Sequence, residues 1–283
     1  MDWDQDGQLD LLSGSYVIPG TLAGHLHFLK GKSDGQFEAA QVLLNAKGDP
    51  ARNVEADSSD VQRSLINYCT HQHAIDFDED GDLDLIVGSN KDEFFFHENT
   101  AGKDKKVSLS ADTEPLSIRL PDGARHSAPH MVDWDSDGDL DLITGTSAGG
   151  VLLAKNSGTA KEPYWGGFEL LVPFCSKDEM ESEIRIDQLQ LGRSTRVWVC
   201  DYNKDGLLDL VVGDCVEAAE LKSEEIRSEY LDALVAYYQL VDENKNGPEL
   251  TAAREKCEQL TTRRKTGFVW VFLQEPKQTA DKL

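Results

Sequence analysis

One nine-residue pattern occurs four times, and it limits what these 283 residues can fold into more than any other feature. Asp2, Asp4, Asp6, Gly7 and Asp10 occupy positions 1, 3, 5, 6 and 9 of the first copy. Asp76, Asp78, Asp80, Gly81 and Asp84 form the second, and Asp133, Asp135, Asp137, Gly138 and Asp141 the third. Asp201, Asn203, Asp205, Gly206 and Asp209 form the fourth, where one carboxylate is replaced by an amide. Four carboxylates within one short loop repel each other strongly unless a cation gathers them. Oxygen ligands at this spacing, a glycine for the sharp turn and a free carbonyl at position 7 describe a calcium loop. Magnesium fits less well, because it takes few carboxylates and keeps its waters. An acidic Asp-Gly turn accounts for one copy, not for four at one spacing. The expectation is about four calcium ions, one in each of the loops 2–10, 76–84, 133–141 and 201–209.

The loops begin like EF-hands and then depart from them. Position 12 of an EF-hand is a bidentate Glu, whereas here it is Ser13, Val87, Thr144 and Val212. Each loop runs instead into a short apolar segment closed by Gly14, Gly88, Gly145 or Gly213. Such segments read as strands buried on both faces. A further strand follows each one, at 24–30, 93–99, 150–156 and 267–273, and another precedes three of the loops, ending at Asp76, Asp133 and Cys200. Outer strands are expected at 37–44, 107–118 and 168–172. Four short antiparallel strands, recurring at intervals of 74, 57 and 68 residues, describe propeller blades, since each small sheet buries its faces only against its neighbours. The fold class is therefore all-β, a β-propeller of about four four-stranded blades across residues 1–283.

On these hairpins the chain resembles the FG-GAP or VCBS-type repeats of integrin-α-like β-propellers over nearly its whole length. The resemblance implies radial blades with one calcium per acidic loop. It carries metal ligation to the acidic positions named above, with Asn203 keeping an oxygen ligand in the fourth loop. The Phe-Gly and Gly-Ala-Pro strings of that family are mostly missing, Ser127, Ala128 and Pro129 being the nearest echo. Met1 stands directly against the first ligand, so the first blade has no preceding inner strand and an incomplete ring is expected, part of a longer propeller.

Residues 216–264 break the repeat inside the last blade. Ile226, Tyr230, Leu234, Tyr237 and Val241 form one helical stripe, and Leu250, Ala253, Cys257 and Leu260 a second. Asn246, Gly247 and Pro248 turn the chain between them. This predicts a helical hairpin whose stripes pack on each other or on the propeller, or that serves as a partner-binding device. Asp242, Asn244 and Asn246 imitate a calcium loop, but Leu250 and Ala253 fall where ligands are needed.

A net charge of −24 argues against nucleic acid and anionic membrane surfaces as partners, and no segment calls for direct membrane insertion. Five cysteines leave at least one unpaired, and no zinc spacing occurs. Cys215 and Cys257 bracket the insertion and could be linked; free buried thiols are the plainer reading. Calcium loops of the extracellular class bind at roughly 10⁻⁴ to 10⁻³ M, which suits secretion or the periplasm. His25 with His27, and His71 with His73, are pairs without a placed third ligand. No nucleophile elbow, phosphate loop or metalloprotease helix is present. The sequence thus points to a non-catalytic scaffold for a protein or glycan partner, presenting loops 16–23, 45–63 and 176–193. A carbohydrate-active enzyme of the polysaccharide lyase kind is the alternative.

Overall fold

The apolar runs behind the acidic loops become the second strands of four antiparallel sheets. The computed structural model describes residues 1–15, 24–54, 65–101, 107–159, 162–173, 191–242 and 247–275. The chain divides into two compact units, one of residues 1–175, 191–214 and 269–283, the other of 176–190 and 215–268.

In the first unit, β1 (Leu11–Ser13), β2 (His27–Leu29) and β3 (Gln41–Val42) make a three-stranded sheet. The second sheet is β4 (His71–Ile75), β5 (Asp84–Gly88), β6 (Glu93–His97) and β7 (Glu114–Arg119) in that order. The third is β8 (Ala128–Val132), β9 (Asp141–Gly145), β10 (Val151–Asn156) and β11 (Trp165–Val172). The fourth joins β12 (Arg193–Cys200), the first stretch of β13 (Asp209–Leu221) and a last strand, β15 (Val269–Phe272), while the later stretch of β13 pairs with β14 (Thr261–Thr266) in the second unit. Every pair is antiparallel between strands adjacent along the blade, as hairpin-linked meanders require. First strands β4, β8 and β12 touch in succession. The chain is an all-β propeller arrangement of four blades, as its repeats predict.

Each sheet has two unlike faces. Along β5, Leu85 and Val87 face back into an apolar cluster with Trp3, Leu26 and Leu43, whereas Ile86 faces forward into one with Phe94, Met131 and Leu142. That is the period of two of an extended chain. Ile143, Val151 and Leu153 continue the series against Val197, Leu210 and Val212. All five residues of β5 and of β9 are buried, so their sequences show no polar alternation. Each such Leu or Ile contributes roughly 1.5–3 kcal/mol of burial.

A backbone seam fixes the spacing of the sheets. A Cβ on Gly14, Gly88 or Gly145 would collide with the carbonyl oxygen of Thr70, Ser127 or Thr195 at the start of the next sheet. The residue after each glycine donates its N–H to the hydroxyl of that same partner: Ser15 to Thr70 at 3.0 Å, Ser89 to Ser127 at 2.8 Å and Thr146 to Thr195 at 2.9 Å.

In the second unit, α1 (Arg227–Asp242) and α2 (Pro248–Leu260) pack on each other. Tyr230 and Ala233 are buried in α1, while Val241, expected in its stripe, is exposed. Leu250, Ala253, Cys257 and Leu260 are half-buried, as the periodicity of α2 requires. The helices do not leave the blade by a simple exit after Gly213. The backbone of β13 runs on to Leu221 and pairs with β14 from Val216↔Thr266 to Leu221↔Thr261, carrying the helices on a two-stranded ribbon. Cys215 and Cys257 are both free thiols. Positions 243–246 of the imitation loop, the expected loop 16–23 and residues 176–190 of the expected loop 176–193 lie outside the described residues, as does part of 45–63. No helix among the described residues is long and apolar enough to cross a membrane.

Candidate metal centres in the acidic loops

The backbone of each loop winds around its own carboxylates. Asp2, Asp133 and Asp201 accept N–H groups from positions 5 and 6 at 2.8–3.1 Å, and Asp76 accepts that of Gly81 at 3.2 Å. Asp6, Asp80, Asp137 and Asp205 each accept the N–H two residues ahead at 2.9–3.0 Å. Two residues per loop adopt left-handed backbone. One is the glycine at position 6, with φ of 87–98°; the other is position 4, occupied by Gln5, Glu79, Ser136 and Lys204 at φ of 57–65°. A side chain at such φ is strained, and nothing in those four residue types announces it.

Position 9 has a second task that its spacing does not reveal. Asp10, Asp84, Asp141 and Asp209 are almost wholly buried. In each, Oδ2 accepts the N–H of position 2, from Trp3, Phe77, Trp134 or Tyr202, at 2.8–3.1 Å. Oδ1 accepts an N–H at or just past the end of β2, β6, β10 or β15, from Gly31, Asn99, Asn156 or Gln274, at 2.7–2.9 Å. These aspartates clasp the loop to the sheet.

Three carboxylate trios have oxygens within 4.8 Å of one another: Asp2, Asp4 and Asp6; Asp76, Asp78 and Asp84; Asp133, Asp135 and Asp141. Asp10, Asp80 and Asp137 lie in the same loops but outside the trios. The fourth loop is exposed at Asp201, Asn203 and Asp205, and the Asn203 amide donates to Asp205 at 2.8 Å. The trios suit a hard dication, because one oxygen in each is buried and has no hydrogen-bond partner: Oδ1 of Asp4, of Asp76 and of Asp135. A buried carboxylate oxygen without a donor is costly unless a cation meets it.

The electrostatics agree. Burial pushes the Asp84 carboxyl up to about 7, with the Asp78 and Asp82 carboxylates adding to the rise. Burial raises Asp141 as well, aided by Asp135 and Asp137. Both rises come first from burial and then from the neighbouring carboxylates. Lysines offset some of the negative charge. Lys30 bridges Asp4 and Asp6, which raises the Lys30 ammonium and lowers Asp6. Lys155 lies 3.0 Å from Asp135 and is raised by it.

A groove of about 470 Å³ opens beside the second loop, between Phe77, Asp78, Asp80, Phe96 and Glu114. The histidines form no three-ligand metal group among the described residues. His25 lies 2.6 Å from the Arg52 guanidinium. His73 and His130 lie tilted against each other at 45° with ring centroids 4.1 Å apart, and Trp198 sits edge-on to His130 at 4.8 Å.

Residues 76–144, which hold the second and third loops, match the FG-GAP-like repeat family. Comparisons with curated proteins and with solved structures each gave no significant match. With four sheets of one pattern, the matched segment supports an FG-GAP-repeat β-propeller. Such a fold is, in general terms, a binding scaffold.

Proposed function

We propose that the chain is an extracellular or periplasmic, integrin-α-like calcium-binding propeller that serves as a non-catalytic scaffold for a protein or glycan partner. The observation that carries this reading is the buried, partnerless oxygen in each of the three carboxylate trios. Bound calcium would be held by Asp2, Asp4 and Asp6, by Asp76, Asp78 and Asp84, and by Asp133, Asp135 and Asp141, with Asp201, Asn203, Asp205 and Asp209 as the weaker fourth set. The ion supplies positive charge that fixes the loops; the backbone clasps of the position 9 aspartates hold those loops to the sheets. The groove beside Asp78, with Phe77 and Phe96 on its wall, offers a partner apolar and acidic contacts next to one ion. Millimolar calcium outside the cytosol matches sites of roughly 10⁻⁴ to 10⁻³ M.

Calorimetric titration of chelator-stripped protein is the test. The expected stoichiometry is three to four calcium ions with much weaker magnesium binding; no heat, or equal affinity for the two ions, refutes the calcium reading. Turnover of a uronate polymer would refute the non-catalytic one.

A further inference from the structure

Two of the acidic loops carry an ammonium from their own blade, and the second loop does not. Lys30 and Lys155 stand immediately before Gly31 and Asn156, whose N–H groups the position 9 aspartates clasp. Lys30 bridges Asp4 and Asp6, and Lys155 meets Asp135 at 3.0 Å. In both loops the ammonium takes Oδ2 of position 3, while Oδ1 stays buried without a donor. A lysine and a bound ion therefore have separate oxygens on one carboxylate. The corresponding residue of the second blade, before Asn99, is Glu98. Among the described residues no ion pair reaches Asp78 or Asp80.

Beside these two acids the second blade has the groove of about 470 Å³, within the size of ligand pockets, roughly 300–1,000 Å³. Asp78 and Asp80, the counterparts of the carboxylates that Lys30 bridges, lie on its wall with Glu114, and no described lysine or arginine lines it. Phe77 and Phe96 stand next to these acids with ring centroids 5.2 Å apart. Such rings cover an aliphatic stem and attract the cation at its tip. One bank is formed by residues 114–117 of β7, the outer strand of the sheet, which gives an extended segment a strand to lie beside. An acidic glycan would instead set its charges against three carboxylates.

We propose, building on the scaffold reading above, that this groove takes a lysine or arginine side chain from an extended, basic segment of a protein partner. The cation rests on Asp78 and Asp80 as Lys30 rests on Asp4 and Asp6, and its stem lies against Phe77 and Phe96.

Fluorescence anisotropy of a labelled peptide alternating lysine with proline, which keeps it extended, tests this on the full chain in millimolar calcium. Saturable binding is expected. Glu98→Lys, which puts an ammonium from the blade into that corner, should weaken it about tenfold or more. Glu255→Lys makes the same change of charge at an exposed position of α2 and should leave binding unchanged. If Glu98→Lys does not fold, Glu114→Lys replaces it. Calcium titration of the same samples reports on the ion separately: calcium bound without peptide overturns the role of the groove alone, and peptide bound without calcium leaves the groove standing and removes the ion. Equal losses in Glu98→Lys and Glu255→Lys overturn the proposal, since attraction to the net charge of the chain would explain both. Peptide binding that appears only after Lys103, Lys105 and Lys106, which lie outside the described residues, are replaced by alanine also overturns it, because the chain would then fill the groove itself. Binding of heparin in place of the peptide does the same.

Discussion

The backbone N–H of Asn99 reaches the Asp84 carboxylate at 2.8 Å across 15 residues of chain, so the last acid of the second loop is also the clasp on the end of β6. Its other oxygen holds Phe77 at 3.0 Å. A residue of this kind stabilises the blade whether or not an ion is present.

Asp84→Ala should therefore destabilise the protein in excess EDTA by about 3 kcal/mol, because two backbone donors lose a buried acceptor. Asp78→Ala, which loses only an exposed bond from Asp80, should cost less than about 1 kcal/mol under the same conditions. Urea unfolding of both variants decides the matter, and equal losses would show that position 9 does no more than ligate.

The seam glycines should differ sharply from their fourth counterpart. Gly88→Ala drives a methyl group into the Ser127 carbonyl, and a loss of about 3 kcal/mol or more is expected. Gly213→Ala meets nothing within 4 Å and should leave the stability of the single chain within about 0.5 kcal/mol of wild type. Paired denaturation curves read the contrast directly.

Acid should loosen the contacts between first strands. Burial lowers His73 to about 4 and His130 to about 2, while burial, with Arg196 next, lowers His71 to about 3. The sign follows from the depressed values. Above an unfolded value near 6.5 all three are neutral in both states, and their full contribution is present. As the pH falls from 6.5 toward 4 the unfolded chain takes up protons that the folded one refuses, and stability drops. For His73 the loss over that window is about 3 kcal/mol. A His130→Phe variant, which keeps a ring between His73 and Trp198, should show a shallower fall in melting temperature from pH 6.5 to pH 4 than wild type does. Parallel curves would exclude His130 as a source of the slope.

Calcium should raise thermal stability by mass action. At millimolar calcium and a dissociation constant near 10⁻⁴ M each site contributes about 1.4 kcal/mol, or about 5 to 6 kcal/mol for four. Excess EDTA is then expected to lower the melting temperature by about 10 °C or more. A shift of a degree or less would mean that the lysines and clasps hold the loops unaided.

The loops and second strands were legible because their signals are local. Ligand spacing, the turn glycine and the run from Leu85 to Gly88 all lie within 13 residues. The clasp was not legible, since the donors to Asp10 and Asp209 lie 21 and 65 residues away. Nor were the lysines beside the trios: Lys30 and Lys155 stand before Gly31 and Asn156, but the corresponding places in the second and fourth blades hold Glu98 and Leu273. The seam glycines read as strand ends, although their closest neighbours are carbonyls of the next sheet. Strand β14 escaped because Thr261–Thr266 has no apolar residue. Its pairing comes from backbone alignment with β13. In α1, Ala233 is buried and Val241 exposed, so size and hydropathy ranked the stripe differently from its actual contacts.

The alternation along β5 gives adjacent residues separate fates. Leu85 and Ile86 share a peptide bond yet belong to different apolar clusters. A cavity cut at Leu85 would be felt by Trp3 and Leu26, whereas one cut at Ile86 would be felt by Met131 and Leu142. Damage in this chain therefore travels between the facing surfaces of neighbouring sheets and stops at the sheet itself, and the residue next door in sequence is a poor guide to where it arrives.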